Sequence, residues 1–72
     1  MAETERAGYI FKVKEGIGGI PWIMLEPMDK DISILDKGFL GMDLAPNITY
    51  QQAEEIARFL NENIKSVSFT AL

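Results

Sequence analysis

The clearest element in this sequence runs Thr49-Tyr-Gln-Gln-Ala-Glu-Glu-Ile-Ala-Arg-Phe-Leu-Asn-Glu-Asn63. Thr49 and Gln52 have the spacing of a capping box, in which each side chain bonds the backbone N–H of the other residue. Apolar residues then recur every three or four positions, which is typical of an amphipathic helix. They are Tyr50, Ala53, Ile56, Ala57, Phe59, Leu60 and Ile64. The pattern predicts a helix from Tyr50 to Asn63, with Asn63 as the left-handed residue that ends it.

Four segments around this helix have the composition of β-strands. They are residues 9–14, 22–26, 39–44 and 66–72. Gly16-Ile-Gly-Gly19 lies between the first two, and glycine supplies the positive φ angles that a tight connection requires. A strand rather than a helix follows these glycines. The segment therefore lacks the helix N-terminus of a phosphate-binding loop, and we expect a hairpin connection.

The predicted fold class is α+β, a small β-β-β-α-β domain. The first three strands should form a meander, and a right-handed crossover through the helix then places the fourth strand beside the first and parallel to it. The result is a mainly antiparallel four-stranded sheet in the order 3-2-1-4, with one helix packed on one face. We expect residues 1–72 to form a single domain, in which 1–7 are a flexible tail and 28–38 are a loop with one turn of helix.

The core should form where the helical stripe meets one face of the sheet, because each element must bury its apolar side against another. The predicted core residues are Phe11, Val13, Ile23, Leu25, Leu40, Met42, Ala53, Ile56, Ala57, Leu60, Val67 and Phe69.

Composition excludes several classes of function. The 72 residues contain neither cysteine nor histidine, so disulfides, zinc–thiolate sites and imidazole catalysis are ruled out. Seven basic and 11 acidic residues give a net charge of −4, which argues against a nucleic-acid-binding surface. No apolar run is long enough for a membrane span, and the polar N-terminal residues do not resemble a secretory signal. We therefore expect a cytoplasmic protein with no nucleic-acid or membrane partner.

Carboxylates before the helix offer one alternative, a small-molecule binder that uses them. They are Glu26, Asp29, Asp31, Asp36 and Asp43. Asp29-Lys-Asp31 begins like a calcium loop, but the sixth position is Ile34 instead of glycine and the twelfth is Leu40 instead of glutamate. No spacing singles out a pair for acid–base chemistry. The sequence therefore predicts no enzyme, and no catalytic, cofactor-binding or metal-binding residue.

The face of the sheet opposite the helix carries the candidate functional site. One helix covers only one face of a sheet, so the other face should expose four large apolar residues together. These predicted interface residues are Ile10, Trp22, Met24 and Phe39. A contiguous apolar patch commonly marks a partner site, and tryptophan and methionine are typical of interfaces.

We therefore predict a non-catalytic protein-interaction module whose partner is another protein or a second copy of the chain. Lys12 and Lys14 share the same face and must lie at the rim of the contact, because burying an unpaired ammonium group is costly. The alternative is that the N-terminal tail or residues 28–38 fold over this face.

The residues Thr49-Tyr-Gln-Gln-Ala-Glu54 give a further alternative. Together with the β-β-β-α-β order, this opening of the helix resembles the HicB-type antitoxin domains, which place a Gly-Asp-Thr-x-x-Glu-Ala stretch at the same junction. The Pro-x-x-Pro-Gly segment usual in that family is replaced here by Gly38-Phe-Leu-Gly-Met-Asp43. The resemblance implies an antitoxin-type domain that neutralises a small basic partner, and it carries over no functional residue.

Overall fold

The computed structural model describes residues 3–33 and 38–72. These residues form five strands and one α-helix, so the predicted α+β class is confirmed. The elements are β1 (Glu3–Ala7), β2 (Tyr9–Glu15), β3 (Pro21–Pro27), β4 (Leu40–Asp43), α1 (Tyr50–Asn63) and β5 (Val67–Ala71), with a turn of 3-10 helix at Ile17–Gly19 between β2 and β3.

The predicted meander is confirmed as an antiparallel three-stranded sheet in the order β2-β3-β4. Phe11 lies opposite Leu25, which in turn lies opposite Leu40. Gly18 and Gly19 adopt the left-handed φ angles, 74° and 76°, that make the connection between β2 and β3 possible. The Gly16 N–H donates to the Ile20 carbonyl over 2.8 Å and closes this connection.

The predicted four-stranded sheet is wrong in its last strand. β5 pairs antiparallel with β1 in a separate two-stranded sheet, with Glu3 opposite Ala71 and Ala7 opposite Val67. The flexible tail predicted for residues 1–7 is therefore also wrong for residues 3–7, which form β1. Residues 1–2 lie outside the described part of the chain.

Asn61 of α1 binds the edge of β2 where the predicted fourth strand would pair. Its side-chain amide accepts a hydrogen bond from the Phe11 N–H (2.8 Å) and donates one to the Phe11 carbonyl (2.9 Å). These two backbone groups lie on the β2 edge that the predicted fourth strand would need. Because Asn61 satisfies them from the helix, a strand at this position has no donor or acceptor left to bind at Phe11.

The helix has the predicted bounds and the predicted capping box. Gln52 N–H donates to Thr49 Oγ1 over 3.1 Å, and Thr49 N–H donates to Gln52 Oε1 over 2.8 Å. The predicted left-handed conformation of Asn63 is wrong, since Asn47 (φ 68°) is the non-glycine residue with positive φ among those described. Asn63 instead donates from its side chain to the Phe59 carbonyl over 2.8 Å.

Most of the predicted core lies between α1 and the sheet. The predicted residues that are buried are Phe11, Ile23, Leu25, Ala53 and Ala57, and those partly buried against this core are Val13, Leu40, Ile56, Leu60 and Val67. Met42 and Phe69 were predicted in the core but are exposed. Met42 lies on the edge strand β4 and Phe69 on the separate β1–β5 ribbon, both beyond the strands that the helix contacts most, β2 and β3.

Three residues of the hydrophobic core cluster were not predicted, namely Ala7, Tyr9 and Ile32. Ile32 packs in the core. Its backbone N–H donates to the carboxylate of Asp31, which also accepts from the Tyr9 hydroxyl. Glu5 then accepts from both the backbone and the hydroxyl of Ser33. The helical turn predicted within 28–38, at residues 32–35, lies half outside the described residues, which exclude 34–37.

Candidate interaction surface

The sheet face opposite α1, here called the open face, follows from the strand register. Opposed residues of antiparallel strands point to the same side of a sheet. β2 contributes Ile10, Lys12 and Lys14, β3 contributes Glu26, Met24 and Trp22, and the β4 side contributes Phe39, Gly41 and Asp43. The four predicted interface residues therefore lie on the same face.

Trp22 lies across the open face between two glycines. A Cβ atom at Gly41 would approach Cζ3 of Trp22 to 3.0 Å, and a Cβ at Gly16 would approach Cδ1 to 3.1 Å. A side chain at either position would be in tight contact with the indole, which would have to move by a few tenths of an ångström. Gly16 and Gly41 thus let the ring lie against the backbone of the neighbouring segments.

Phe39 extends this aromatic surface. Its ring centroid is 5.8 Å from that of Trp22 and the two planes are inclined by 32°, a separation within the favourable range for aromatic pairs. Phe39 is 68% exposed and Ile10 is 39% exposed, whereas Trp22 and Met24 are half-buried. The structure thus brings Trp22 and Phe39 into direct contact, with Met24 beside them on β3 and Ile10 on the outer strand β2.

Lys12 is paired on this face. Its Nζ lies 2.5 Å from Oε2 of Glu26, the residue diagonally across on β3. The hydrogen bond from Lys12 and the charge of Lys12 hold the pKa of the Glu26 carboxyl below its usual value. The central charges of the open face therefore neutralise each other, and Lys12 does not have to be buried as an unpaired ammonium group.

Lys14 and Asp43 flank Trp22 on opposite sides. Trp22 is directly opposite Lys14 on β2 and Asp43 on β4. Strands are about 4.8 Å apart, so the two charged residues lie about 10 Å from each other across the indole. Both are exposed, and neither has an ion-pair partner within residues 3–33 and 38–72.

The described parts of the chain do not cover the open face as the alternative required. Residues 3–7 pair with β5 instead of folding back. Ile32 belongs to the core cluster with Phe11 and Ile23, whose side chains lie on the helix side of the sheet. The segment after β3 therefore turns to the helix side at this point.

The candidate carboxylates are dispersed. Asp31 is engaged by Tyr9, Glu26 by Lys12, and Asp43 lies on the open face beside Trp22. Asp36 lies outside the described residues. Across the described ranges no group of three or more acidic side chains is arranged to hold a metal ion. Burial and the hydrogen bond to Asp31 raise the pKa of the Tyr9 hydroxyl above its usual value.

Two grooves on the helix side were not predicted from the sequence. One, of about 530 Å³, lies between α1 and the β2 edge and is lined by Lys12, Val13, Tyr50, Glu54, Ala57, Arg58, Asn61 and Glu62. The other, of about 350 Å³, is apolar and lies between α1, β4 and β5. Leu40, Met42 and Leu60 are among the residues that line it. The exposure of Met42 at this groove could not be foreseen, because alternation alone assigns it to the covered face.

Comparison of the chain with known protein families, with curated proteins and with solved structures finds no match. Within the described residues, α1 is neither long nor apolar enough to cross a membrane.

Proposed function

We propose that this chain is a non-catalytic protein-interaction module and that it associates with a second copy of itself through the open face. The observation that carries the proposal is the Trp22–Phe39 pair, in which an exposed aromatic ring rests against a half-buried indole on a sheet face without a covering element in the described chain. Aromatic side chains anchor interfaces because each removes a large apolar area from water.

The size of the open face favours a reversible complex. Three strands about 4.8 Å apart and up to seven residues long measure about 14 by 23 Å. Its flat area is about 320 Å² per chain, well below the roughly 800 Å² per partner of a standard interface and in the range of weak, transient contacts. We therefore expect association that depends on concentration in the micromolar range, and not a permanent dimer.

A second copy fits the charges of the face better than a basic partner does. Lys12 is balanced by Glu26, and Lys14 is matched by Asp43 on the other side of Trp22. The antitoxin-type alternative requires an acidic surface that blocks a basic protein, and the open face has equal numbers of both charges. That alternative, and the carboxylate-dependent binder, remain predictions from the sequence.

The proposal is tested by sedimentation velocity over a concentration series. The wild-type chain should shift from monomer to dimer as concentration rises, and Trp22→Ala and Phe39→Ala should each weaken the dimer at least about tenfold, as interface anchors do. Phe59→Ala is the matched control, since Phe59 is an exposed aromatic residue on α1.

Phe39 is the more telling position, because its exposed ring can be removed with little effect on the fold. A wild-type chain that stays monomeric at high concentration would refute the proposal. Equal weakening by Phe39→Ala and Phe59→Ala would place the contact somewhere other than the open face.

A further inference from the structure

We infer that the second copy docks on the open face about a two-fold axis parallel to β3, so that Lys14 of each chain meets Asp43 of the other. The inference rests on the proposed self-association and specifies its geometry. It follows from the arrangement of charges on the open face and from the symmetry of dimers made of identical chains.

The open face is a grid of three strands and three rows. The first row has Glu26 and Ile10, the second Gly41, Met24 and Lys12, and the third Asp43, Trp22 and Lys14. Phe39 precedes β4, and its ring lies 5.8 Å from that of Trp22. In the third row, opposite charges stand at the two outer strands with the indole between them. If a second copy presents this row in the reversed order, each charge meets the opposite charge. A two-fold axis along the central strand β3 produces this arrangement.

A two-fold axis parallel to β3 places each row opposite the same row of the second copy. It also places β2 of one chain opposite β4 of the other. Trp22 then faces Trp22 of the second copy, and Met24 faces Met24. Lys14 of each chain faces Asp43 of the other, which makes two symmetric ion pairs at the rim. The Phe39 ring, which lies 5.8 Å from that of Trp22, is then beside the two facing indoles.

The other aligned arrangement leaves Lys14 and Asp43 without a residue of opposite charge to face. Sheets pack with their strands either nearly aligned or nearly perpendicular, and aligned packing also allows a two-fold axis across the strands. That axis places β2 over β2, so that Lys12 faces Lys12 and Lys14 faces Ile10. The Lys12–Lys12 contact is neutralised by Glu26, as the Glu26–Glu26 contact of the first arrangement is by Lys12, so the two arrangements differ in that no Lys14–Asp43 contact forms here.

Perpendicular packing centred on Met24 is disfavoured on the same grounds. One perpendicular arrangement brings Lys14 over Lys14, and the other brings Asp43 over Asp43. The axis parallel to β3 has one like-charge contact, between the two Glu26 residues, and each of these is already neutralised by Lys12 at 2.5 Å. Charge complementarity therefore selects this axis.

The test is a charge-swap experiment that measures which chains pair. Lys14→Glu and Asp43→Lys should each weaken the homodimer, because each creates two like-charge contacts. When the two variants are mixed, they can form a heterodimer with two attractive contacts. In one contact the introduced glutamate meets the introduced lysine, and in the other the unchanged Asp43 of one chain meets the unchanged Lys14 of the other.

Native mass spectrometry, with one variant labelled with nitrogen-15, distinguishes the heterodimer from the two homodimers. At random pairing the ratio of heterodimers to homodimers is 1:1, and we expect this ratio to rise about tenfold at low salt and to fall as salt screens the rim charges.

Arg58→Glu and Glu62→Lys are the matched controls, because both residues are exposed on α1 and the charge changes are of the same size. Their mixture should pair statistically. A statistical mixture of the Lys14 and Asp43 variants, with the wild-type dimer intact, would overturn the docking geometry and leave self-association standing. A monomeric wild-type chain would overturn both.

Discussion

The two faces of the β2–β3–β4 sheet are built from the same three strands but differ in what covers them. On the helix side, Ile23 is fully buried, and Ala53 and Ala57 allow the helix to pack closely. On the open face, Phe39 and Ile10 stay exposed. Neighbouring residues of one strand therefore have different surroundings. Those that face α1 hold the domain together, and those on the open face form the proposed contact surface.

The difference also appears in how each face deals with polar groups. On the helix side, each of these hydrogen bonds has at most one charged member. The Asn61 amide binds the Phe11 backbone, and the Tyr9 hydroxyl donates to the Asp31 carboxylate. The open face carries full charges, one pair satisfied within the chain and one pair separated by Trp22. Substitutions on the helix side should therefore change folding, and substitutions on the open face should change association.

The largest expected effect is that of Ile23→Ala. Ile23 has no exposed surface, so the substitution should lower the free energy of unfolding by about 2–5 kcal/mol. A small domain has a total stability of about 5 kcal/mol at the lower edge of the usual range, so a loss at the upper end of the expected range unfolds it. Ile10→Ala on the open face is the control in chemical denaturation, and a similar loss there would break the distinction between the two faces.

The next effect is that of Asn61→Ala. The substitution leaves the N–H and carbonyl of Phe11 without their side-chain partners, and we expect a loss of about 1–3 kcal/mol in the free energy of unfolding. Asn63→Ala removes an exposed side-chain hydrogen bond on the same helix and should cost much less. Equal losses in urea unfolding would mean that Asn61 does not protect the β2 edge.

Thr49→Ala should cost about 1 kcal/mol, the usual value for a lost N-cap. Thr49→Ser keeps the hydroxyl that accepts from Gln52 N–H and should restore most of the loss. A change near zero for the alanine variant in thermal unfolding would show that the capping box adds little to this helix.

Ionisation of Tyr9 has the smallest expected effect on the free energy of unfolding at neutral pH. The pKa of Tyr9 is raised in the folded chain, first by burial and then by the bond to Asp31. This contribution to stability is complete below about pH 10, the usual tyrosine pKa, and is lost as the pH rises through the higher folded value. Stability measured from about pH 9 to 12 should fall for the wild type and fall less for Tyr9→Phe, and parallel curves would contradict this assignment.

The parts of the fold that were predictable depend on local pattern. Thr49 and Gln52 are three residues apart and mark the helix, and alternation in residues 9–14 marks both faces of β2. The open face follows from that alternation and from the presence of one helix. Its four apolar residues could therefore be named before their contacts were known.

The parts that were not predictable depend on contacts between distant residues. Residues 3–7 are almost entirely polar, so β1 has no apolar alternation, and its pairing joins Glu3 to Ala71 across the whole chain. One signal was present in the sequence, because Asn61 lies in line with Ala53 and Ala57 at steps of four residues. A polar residue in line with two small core residues can reach the edge of the sheet, which is the place the fourth strand was predicted to occupy.

The central claim is that the open face binds a second copy of the chain. Sedimentation velocity of the wild type and of Phe39→Ala over the same concentration series tests it most directly. The account predicts a monomer–dimer equilibrium in the micromolar range for the wild type and at least about tenfold weaker association for the variant. Two superimposable curves, whether both monomeric or both dimeric, would contradict it.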